Sequence, residues 1–317
     1  MQVAQMNVSA SAKQILEQVG KVIVGKGPVL RYVLAAVLSG GHILVEDIPG
    51  VGKTTMAVAF SKVLDLQCSR VQFTPDVLPS DVTGYSVPNA ATGQMEYKQG
   101  AVLCNLFLAD ELNRATSRTQ SALLEAMEEG QVTVDGVVHK LPEPFVVIAT
   151  QNPTGAAGTQ LLPDSQIDRF AIRVSLGYPG AKEEKNMVLG RQGEDPLKQL
   201  QPLMSRQELM QLRQQVANTY VSEQVVEYVV ALVGATRSHE KLQRGASPRA
   251  TLSVVAFAKA LARLQDRDYV VPRDVQEAFA VTVPHRLQLT ERAENAGATA
   301  GLVVKEILGR VGAPAVR

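Results

Sequence analysis

His42-Ile-Leu-Val-Glu-Asp-Ile-Pro-Gly-Val-Gly-Lys-Thr-Thr55 starts as an apolar run, turns through two glycines and ends on residues that can open a helix. Strand, glycine-containing loop and helix are the order that a phosphate-binding loop requires. Glycines accept positive φ angles, so backbone N–H groups can turn inward around phosphate oxygens, and the helix N-terminus adds donors and a favourable dipole. On this reading Pro49, Gly50, Val51, Gly52, Lys53, Thr54 and Thr55 form the nucleotide cradle. Lys53 reaches the β- and γ-phosphates, Thr54 offers its hydroxyl to Mg2+, and Thr55 supports the helix. The strict G-x-x-x-x-G-K-[ST] pattern fails at its first position, where this chain has Asp47. A plain glycine-rich turn is the competing reading.

Outward from this loop, short apolar runs alternate with helical patterns: Arg70–Phe73, Leu103–Ala109, Phe145–Ala149 and Ala171–Leu176. That alternation predicts an α/β domain with a mostly parallel sheet flanked by helices. Val132-Thr-Val134 and Val137-Val138 flank Asp135-Gly136, a pair suited to a tight turn, so a hairpin should project from the sheet. Gly177-Tyr-Pro-Gly180 breaks the chain, and helical patterns dominate after it. We expect a nucleotide-binding core over 1–180 and a small all-α bundle over 181–317. In the bundle, Ser205-x-x-Glu208 is a capping box before Leu209 and Leu212, and Ser222 opens a helix with Val225, Val226, Val229, Val230 and Val233.

Two further strand ends carry chemistry. Leu106-Phe-Leu-Ala109 delivers Asp110-Glu111 at its C-terminal end, where ligands bind in open α/β sheets. Asp110 then belongs to the Mg2+ shell, and Glu111 orients the attacking water. Phe145-Val-Val-Ile-Ala-Thr150-Gln-Asn152-Pro153 ends on an amide that can contact a γ-phosphate, although Asn-Pro is also ordinary turn punctuation. Arg169 follows Leu162–Asp168 near the end of a helical pattern, a position that also suits the helix dipole. Ser247-Pro248 reads as an N-cap with proline at the first helical position, which sets Arg249 in the first turn against the dipole. A phosphate or a surface carboxylate would relieve that conflict.

Composition narrows the classes. The chain of 317 residues has 32 Lys+Arg against 31 Asp+Glu, 45% hydrophobic residues and a net charge of +1, which marks neither disorder nor a broadly basic nucleic-acid binder. Cys68 and Cys104 match no metal spacing and are expected to be buried thiols. Met1–Ala12 lacks the features of a signal peptide and the longest apolar run, Val29–Leu38, is interrupted by Arg31, so a cytoplasmic protein without membrane insertion is expected.

Taken in order, Glu46-Asp-Ile-Pro-Gly-Val-Gly-Lys-Thr54, Ala109-Asp-Glu-Leu-Asn-Arg-Ala115, Gln120-Ser-Ala-Leu-Leu-Glu-Ala-Met-Glu-Glu129, Ala149-Thr-Gln-Asn-Pro153, Asp168-Arg-Phe170 and Ser247-Pro-Arg-Ala250 resemble the MoxR branch of the AAA+ ATPases. The resemblance implies an ATPase using ATP and Mg2+, with Lys53 and Thr54 in Walker A, Asp110 and Glu111 in Walker B, Asn152 as sensor 1, Arg169 as arginine finger and Arg249 as sensor 2. It also implies that the nucleotide lies between core and helical lid, with Val24 and Gly25 near the adenine, and that Asp47 is tolerated. Residues 75–101 resemble a helix-2 insert and 131–141 a pre-sensor-1 hairpin, elements that often face a ring pore. The family implies a homo-oligomeric ring, usually hexameric, with Arg169 serving the neighbouring subunit and Arg114 supporting that interface. Family members are chaperone-like factors in complex maturation or metal insertion, commonly partnered by von Willebrand factor A domain proteins. Two other functions compete: a DNA-directed motor, for which 75–101 supplies only Lys98 as a basic residue, and a nucleotide-switched scaffold in which Glu111 and Asn152 are idle.

Overall fold

The computed structural model describes residues 7–152, 162–190 and 195–315. Two helices, α1 (Val8–Val22) and α2 (Gly27–Ser39), precede the segment that carries the glycine loop. Strand β1 (His42–Glu46) leads through the glycine loop into α3 (Lys53–Val63), followed by β2 (Cys68–Gln72). A helical turn α4 (Pro79–Thr83) and an antiparallel hairpin, β3 (Gly84–Pro88) with β4 (Met95–Gln99), then interrupt the alternation. The chain returns through β5 (Leu106–Asp110) and α5 (Ser117–Glu129), a second hairpin of β6 (Gln131–Val134) and β7 (Val137–Lys140), then β8 (Val146–Gln151), the turn α6 (Asp164–Ile167) and β9 (Phe170–Val174).

Five of these strands form one parallel sheet in the order β2-β5-β8-β1-β9. β5 and β8 are buried throughout, as expected of central strands covered on both faces, and they read as continuous apolar runs. Each parallel connection needs a crossover, which the intervening helices and hairpins supply. Both hairpins form separate two-stranded sheets, so the predicted β6–β7 hairpin does project. The ring of Tyr97 on β4 stacks on His139 on β7 with centroids 3.7 Å apart, which joins the two projections.

After β9 come α7 (Ala181–Gly190), α8 (Pro196–Gln199), α9 (Arg206–Ala217) and α10 (Glu223–Arg237). Strand β10 (Leu242–Arg244), α11 (Pro248–Leu264), α12 (Pro272–Thr282), β11 (Gln288–Leu289), α13 (Glu291–Asn295) and α14 (Ala300–Arg310) complete the chain. The lid is helical, with the short antiparallel pair β10–β11 added to it. The capping box at Ser205 and Glu208 forms as read, and Leu209 and Leu212 are buried behind it. In α10 the buried stripe is Val225, Val229 and Val233, while Val226 and Val230 face outward. One apolar cluster runs from α1, α2 and α3 through β1 into α9, α10, α11, α12 and α14, so lid and nucleotide-binding core share a continuous hydrophobic interior.

Cys104 is buried and its thiol is pushed up to about 12 by that burial. Cys68, expected to be buried, is exposed. It lies on β2, an edge strand with a neighbour on one side only, whose exposure alternates instead of staying closed. Among the described residues no helix is long and apolar enough to cross a membrane.

Candidate nucleotide site

The glycine loop folds as its residues require. Gly50 and Gly52 have φ of 87° and 96°, values that L side chains rarely adopt, and α3 starts at Lys53 with Gly52 as its N-cap. No side chain caps this helix, so the first-turn N–H groups of α3 are left to the loop. Lys53 is buried, and its Nζ donates to the carbonyls of Asp47 (2.5 Å) and Ile48 (3.3 Å) and to Oδ1 of Asn152 (3.3 Å). Burial holds its pKa below the ordinary lysine value, opposed by the charges of Asp47, Asp110 and Glu111.

Asp47, the residue in place of the usual glycine, has a structural task. Its Oδ2 accepts from the Gly177 N–H (2.7 Å) and the Ser175 hydroxyl (3.0 Å), and its Oδ1 accepts from the Ile48 N–H (3.1 Å). The carboxylate therefore ties the start of the loop to the chain leaving β9. Burial raises its pKa, but these donors outweigh burial and hold it below the ordinary aspartate value.

The two neighbouring strand ends converge on the loop. Asp110 Oδ1 accepts from the Thr150 hydroxyl (2.6 Å), and Oδ2 lies 3.4 Å from the Thr54 hydroxyl. Those two oxygens form a corner that fits a small hard cation, since Mg2+ takes one or two protein oxygens and fills its shell with water and phosphate. Glu111 sits in a left-handed conformation at φ 56°, a strain of about 1–3 kcal/mol that sets its carboxylate over the loop. Its Oε2 accepts from Arg114 Nη1 (2.8 Å) and its Oε1 from Asn152 Nδ2 (3.2 Å). The Arg114 hydrogen bond is the main cause of a pKa below the ordinary glutamate range, so Glu111 is ionised at neutral pH. Arg114, expected at a subunit interface, here holds Glu111 of its own chain. Asn152 bridges Lys53 and Glu111, an arrangement that turn punctuation alone would not produce. Pro153, the last residue of its motif, lies outside the described residues.

A cavity of about 640 Å³ opens over the loop. Pro49, Gly50, Val51, Gly52, Lys53, Thr54 and Thr55, the residues read as the cradle, line it, together with Val24, which the family resemblance implied near the adenine. Gly25 stands just behind Val24 at φ 76°, facing the Glu183 side chain. The far wall is formed by Tyr178, Pro179, Glu184 and Met187, from the segment leading into and along α7, the first helix of the stretch read as the helical bundle. Lys26 Nζ donates to the Tyr178 carbonyl (2.8 Å) across this wall. Later helices of that stretch pack elsewhere on the core, α9 and α11 on α2 and α12 on β9. Arg70 and Gln72 also face the cavity, and sequence reasoning missed both. The sequence offered one signal, their spacing of two on a strand, which puts both on one face; the pairing of Gln72 with Asp110 comes from the sheet register.

Arg169 and Arg249 lie elsewhere. β9 runs parallel to β1 with Phe170 opposite His42, so Arg169 stands at the N-terminal edge of the sheet, whereas the loop leaves its C-terminal edge. A five-residue strand spans about 16 Å, beyond the reach of an arginine side chain from one edge to the other. Arg249, read as a residue of the same nucleotide site, sits beside Arg169: its Nη2 pairs with Glu128 Oε1, while Arg169 Nη2 is 3.1 Å from Glu128 Oε2. A surface carboxylate thus relieves the dipole conflict at Arg249, the alternative left open by the sequence. Ser247 is the N-cap of α11, yet its hydroxyl donates to Asp168 Oδ2 (2.8 Å) instead of capping. Arg286, buried, donates to the carbonyls of Asp168 (3.2 Å), Phe170 (2.8 Å) and Thr282 (3.0 Å) and lies 3.0 Å from Asp168 Oδ1. Burial lowers its pKa to about 10, opposed by Asp168. The lid is therefore fastened to the residues on either side of Arg169.

Comparison with known proteins agrees with this geometry. The family model for the ATPase family associated with various cellular activities (AAA) matches residues 42–172, and the AAA lid domain matches 234–307. The chain is 44% identical to the uncharacterized protein YeaC of Bacillus subtilis, over 95% of this chain and 94% of that one. It is 39% identical to the chaperone MoxR1 of Mycobacterium tuberculosis, over 94% of this chain and 81% of that one. A crystal structure from Cytophaga hutchinsonii, 36% identical, superimposes with a TM-score of 0.90 over 97% of this chain and 96% of that one.

Proposed function

Because the chain belongs to the MoxR family of AAA+ ATPases, we propose that it hydrolyses ATP with Mg2+ in a ring of its own copies and uses the cycle to remodel a partner protein. The observation that carries this reading is the separation of the two halves of the chemistry onto opposite edges of one sheet. Lys53, Thr54, Asp110, Glu111 and Asn152 share the cavity, whereas Arg169 and Arg249 face away from it. A head-to-tail ring brings one edge of each subunit to the other edge of the next.

In that assembly Lys53 would exchange its loop carbonyls for phosphate oxygens, and Thr54 and Asp110 would hold Mg2+. Bound there, Mg2+ offsets charge on the phosphates. Glu111, kept ionised by Arg114 and aligned by Asn152, orients and polarises the attacking water. Arg169 and Arg249, already gathered on Glu128, act as a paired cation on the neighbour's phosphates, so both contribute in trans. The joined hairpins carry exposed Tyr85, Met95, Val137 and Val138 and supply an apolar contact for a protein client. A von Willebrand factor A domain protein is the expected partner, a hexamer the expected ring, and metal insertion one form the maturation could take.

The test is complementation between two inactive proteins. Lys53→Ala lacks a working loop but keeps its arginines; Arg169→Ala has the reverse defect. An equimolar mixture should regain about a quarter of the wild-type rate, because each site needs a working loop and a working neighbour. A mixture as inactive as its components would overturn the trans arrangement.

A further inference from the structure

The strongest unassigned feature is Arg70. Its Nη2 donates to Asp110 Oδ2 at 2.7 Å, and that oxygen also faces the Thr54 hydroxyl. Asp110 Oδ1 is committed to Thr150, so Oδ2 is the oxygen available to a cation. The guanidinium therefore stands at the corner where the two metal-ligating oxygens meet. A metal ion and an arginine cannot both neutralise one carboxylate oxygen at close range without repelling each other.

An ordinary surface ion pair would have two exposed partners, but here the pair is unequal. The Asp110 side chain is 10% exposed and held by its neighbours, whereas that of Arg70 is 50% exposed. Arg70 lies on the edge strand β2, and its other side-chain partner in the structure is Gln72 Oε1 at 3.1 Å. It can swing into solvent without disturbing the core, whereas Asp110 is nearly buried and held by Thr150. We propose that Arg70 is a displaceable stand-in for the divalent cation, so that Arg70 and Mg2+ exclude one another from Asp110 Oδ2. The proposal rests on the reading of Thr54 and Asp110 as the Mg2+ ligands. Its consequence is that the metal alone binds poorly, and productive loading requires the metal together with the phosphates that compensate for displacing the arginine.

The experiment is Mn2+ binding, followed by electron paramagnetic resonance, to the full-length wild type, Arg70→Gln and Arg70→Lys, with and without ATP. Without nucleotide, Arg70→Gln should bind Mn2+ about tenfold more tightly than wild type, the scale of one charged hydrogen bond, with Arg70→Lys between them. Adding Asp110→Asn to Arg70→Gln should abolish that gain. Equal or weaker Mn2+ binding by Arg70→Gln would overturn the proposal while leaving the metal site intact, provided that wild type binds Mn2+ with ATP. Absence of ATP-dependent Mn2+ binding in wild type would overturn the reading of Thr54 and Asp110 as well.

Discussion

At the C-terminal edge of the sheet, Lys53, Asp110, Glu111 and Asn152 make hydrogen bonds to one another, to the glycine loop and to Thr150, Arg114 and Arg70. At the N-terminal edge, Arg169 and Arg249 converge on a single carboxylate, Glu128, behind which Asp168, Ser247 and Arg286 fasten the lid. The first arrangement closes on itself inside a cavity, with each acid and base matched within the chain. The second gathers two cations where the chain has no substrate to offer them. On the proposed reading, one protomer carries the binding site and the arginines that serve a neighbour's.

The comparison breaks most readily at Arg169. Arg169→Ala should lower kcat by about 10³–10⁵ while leaving the ATP affinity of the isolated protomer unchanged, because the side chain is remote from its own cavity. Glu111→Gln should cost about 10²–10⁴ in kcat, again with ATP retained, because only the orientation of water is lost. Steady-state kinetics paired with fluorescent-nucleotide titration separates the two variables. A loss of ATP affinity in Arg169→Ala equal to its loss of rate would mean that the two edges communicate within one chain.

Arg286 sharpens the same contrast on a scale of stability. Replacing it with methionine leaves the Asp168 carboxylate without its buried cation and removes one donor each from the Phe170 and Thr282 carbonyls. Asp168 keeps the Ser247 hydroxyl and some solvent, so the loss should be about 1.5–3 kcal/mol, the scale of a charged hydrogen bond, measurable by urea unfolding. The lid should loosen around Arg169 first, so ATPase activity falls at urea concentrations where nucleotide binding persists. Simultaneous loss of both would deny the separation.

How much of this the sequence disclosed follows from where each residue sits. Lys53, Thr54, Asp110, Glu111 and Asn152 were legible because each lies at the C-terminal end of an apolar run, and parallel strands bring such ends together in any order. β1 was found with its boundaries exact and the other four strands with boundaries shifted by one to three residues, and the helical lid was recognised without its β10–β11 pair. The pairing of Arg249 with Arg169 was not legible, since it depends on α11 packing against α2 and on α12 reaching β9. Nor was it legible that α7, of the whole helical stretch, is the helix that supplies the cavity wall. Asp47 showed only a missing glycine; its use as an anchor appears when Ser175 and Gly177, far along the chain, arrive beside it.

The smallest predicted effect tests whether the two edges respond differently to acid. His42, at the N-terminal end of β1, accepts the Val147 N–H at Nδ1 (3.0 Å), which leaves the Nε2 proton for the Met127 carbonyl (3.0 Å). A second ring proton would face the Val147 donor, and burial holds the pKa down to about 4, against the ordinary 6.5. A folded-state pKa below the unfolded one means that stability is complete above about 6.5 and is lost as pH falls toward about 4, amounting to about 3 kcal/mol. His285, buried against the Phe170 carbonyl at the same edge, is also held low by burial and adds a loss of the same sign. Urea unfolding across this window should therefore show stability falling in wild type and falling less in His42→Phe, and least when His285→Phe is added. The carboxylates of Asp47 and Glu111 are held below their ordinary values, so they stay ionised through most of the same window. Nucleotide affinity should accordingly persist after stability has begun to fall; affinity that declines in step with stability would mean that the histidines do not set the acid limit.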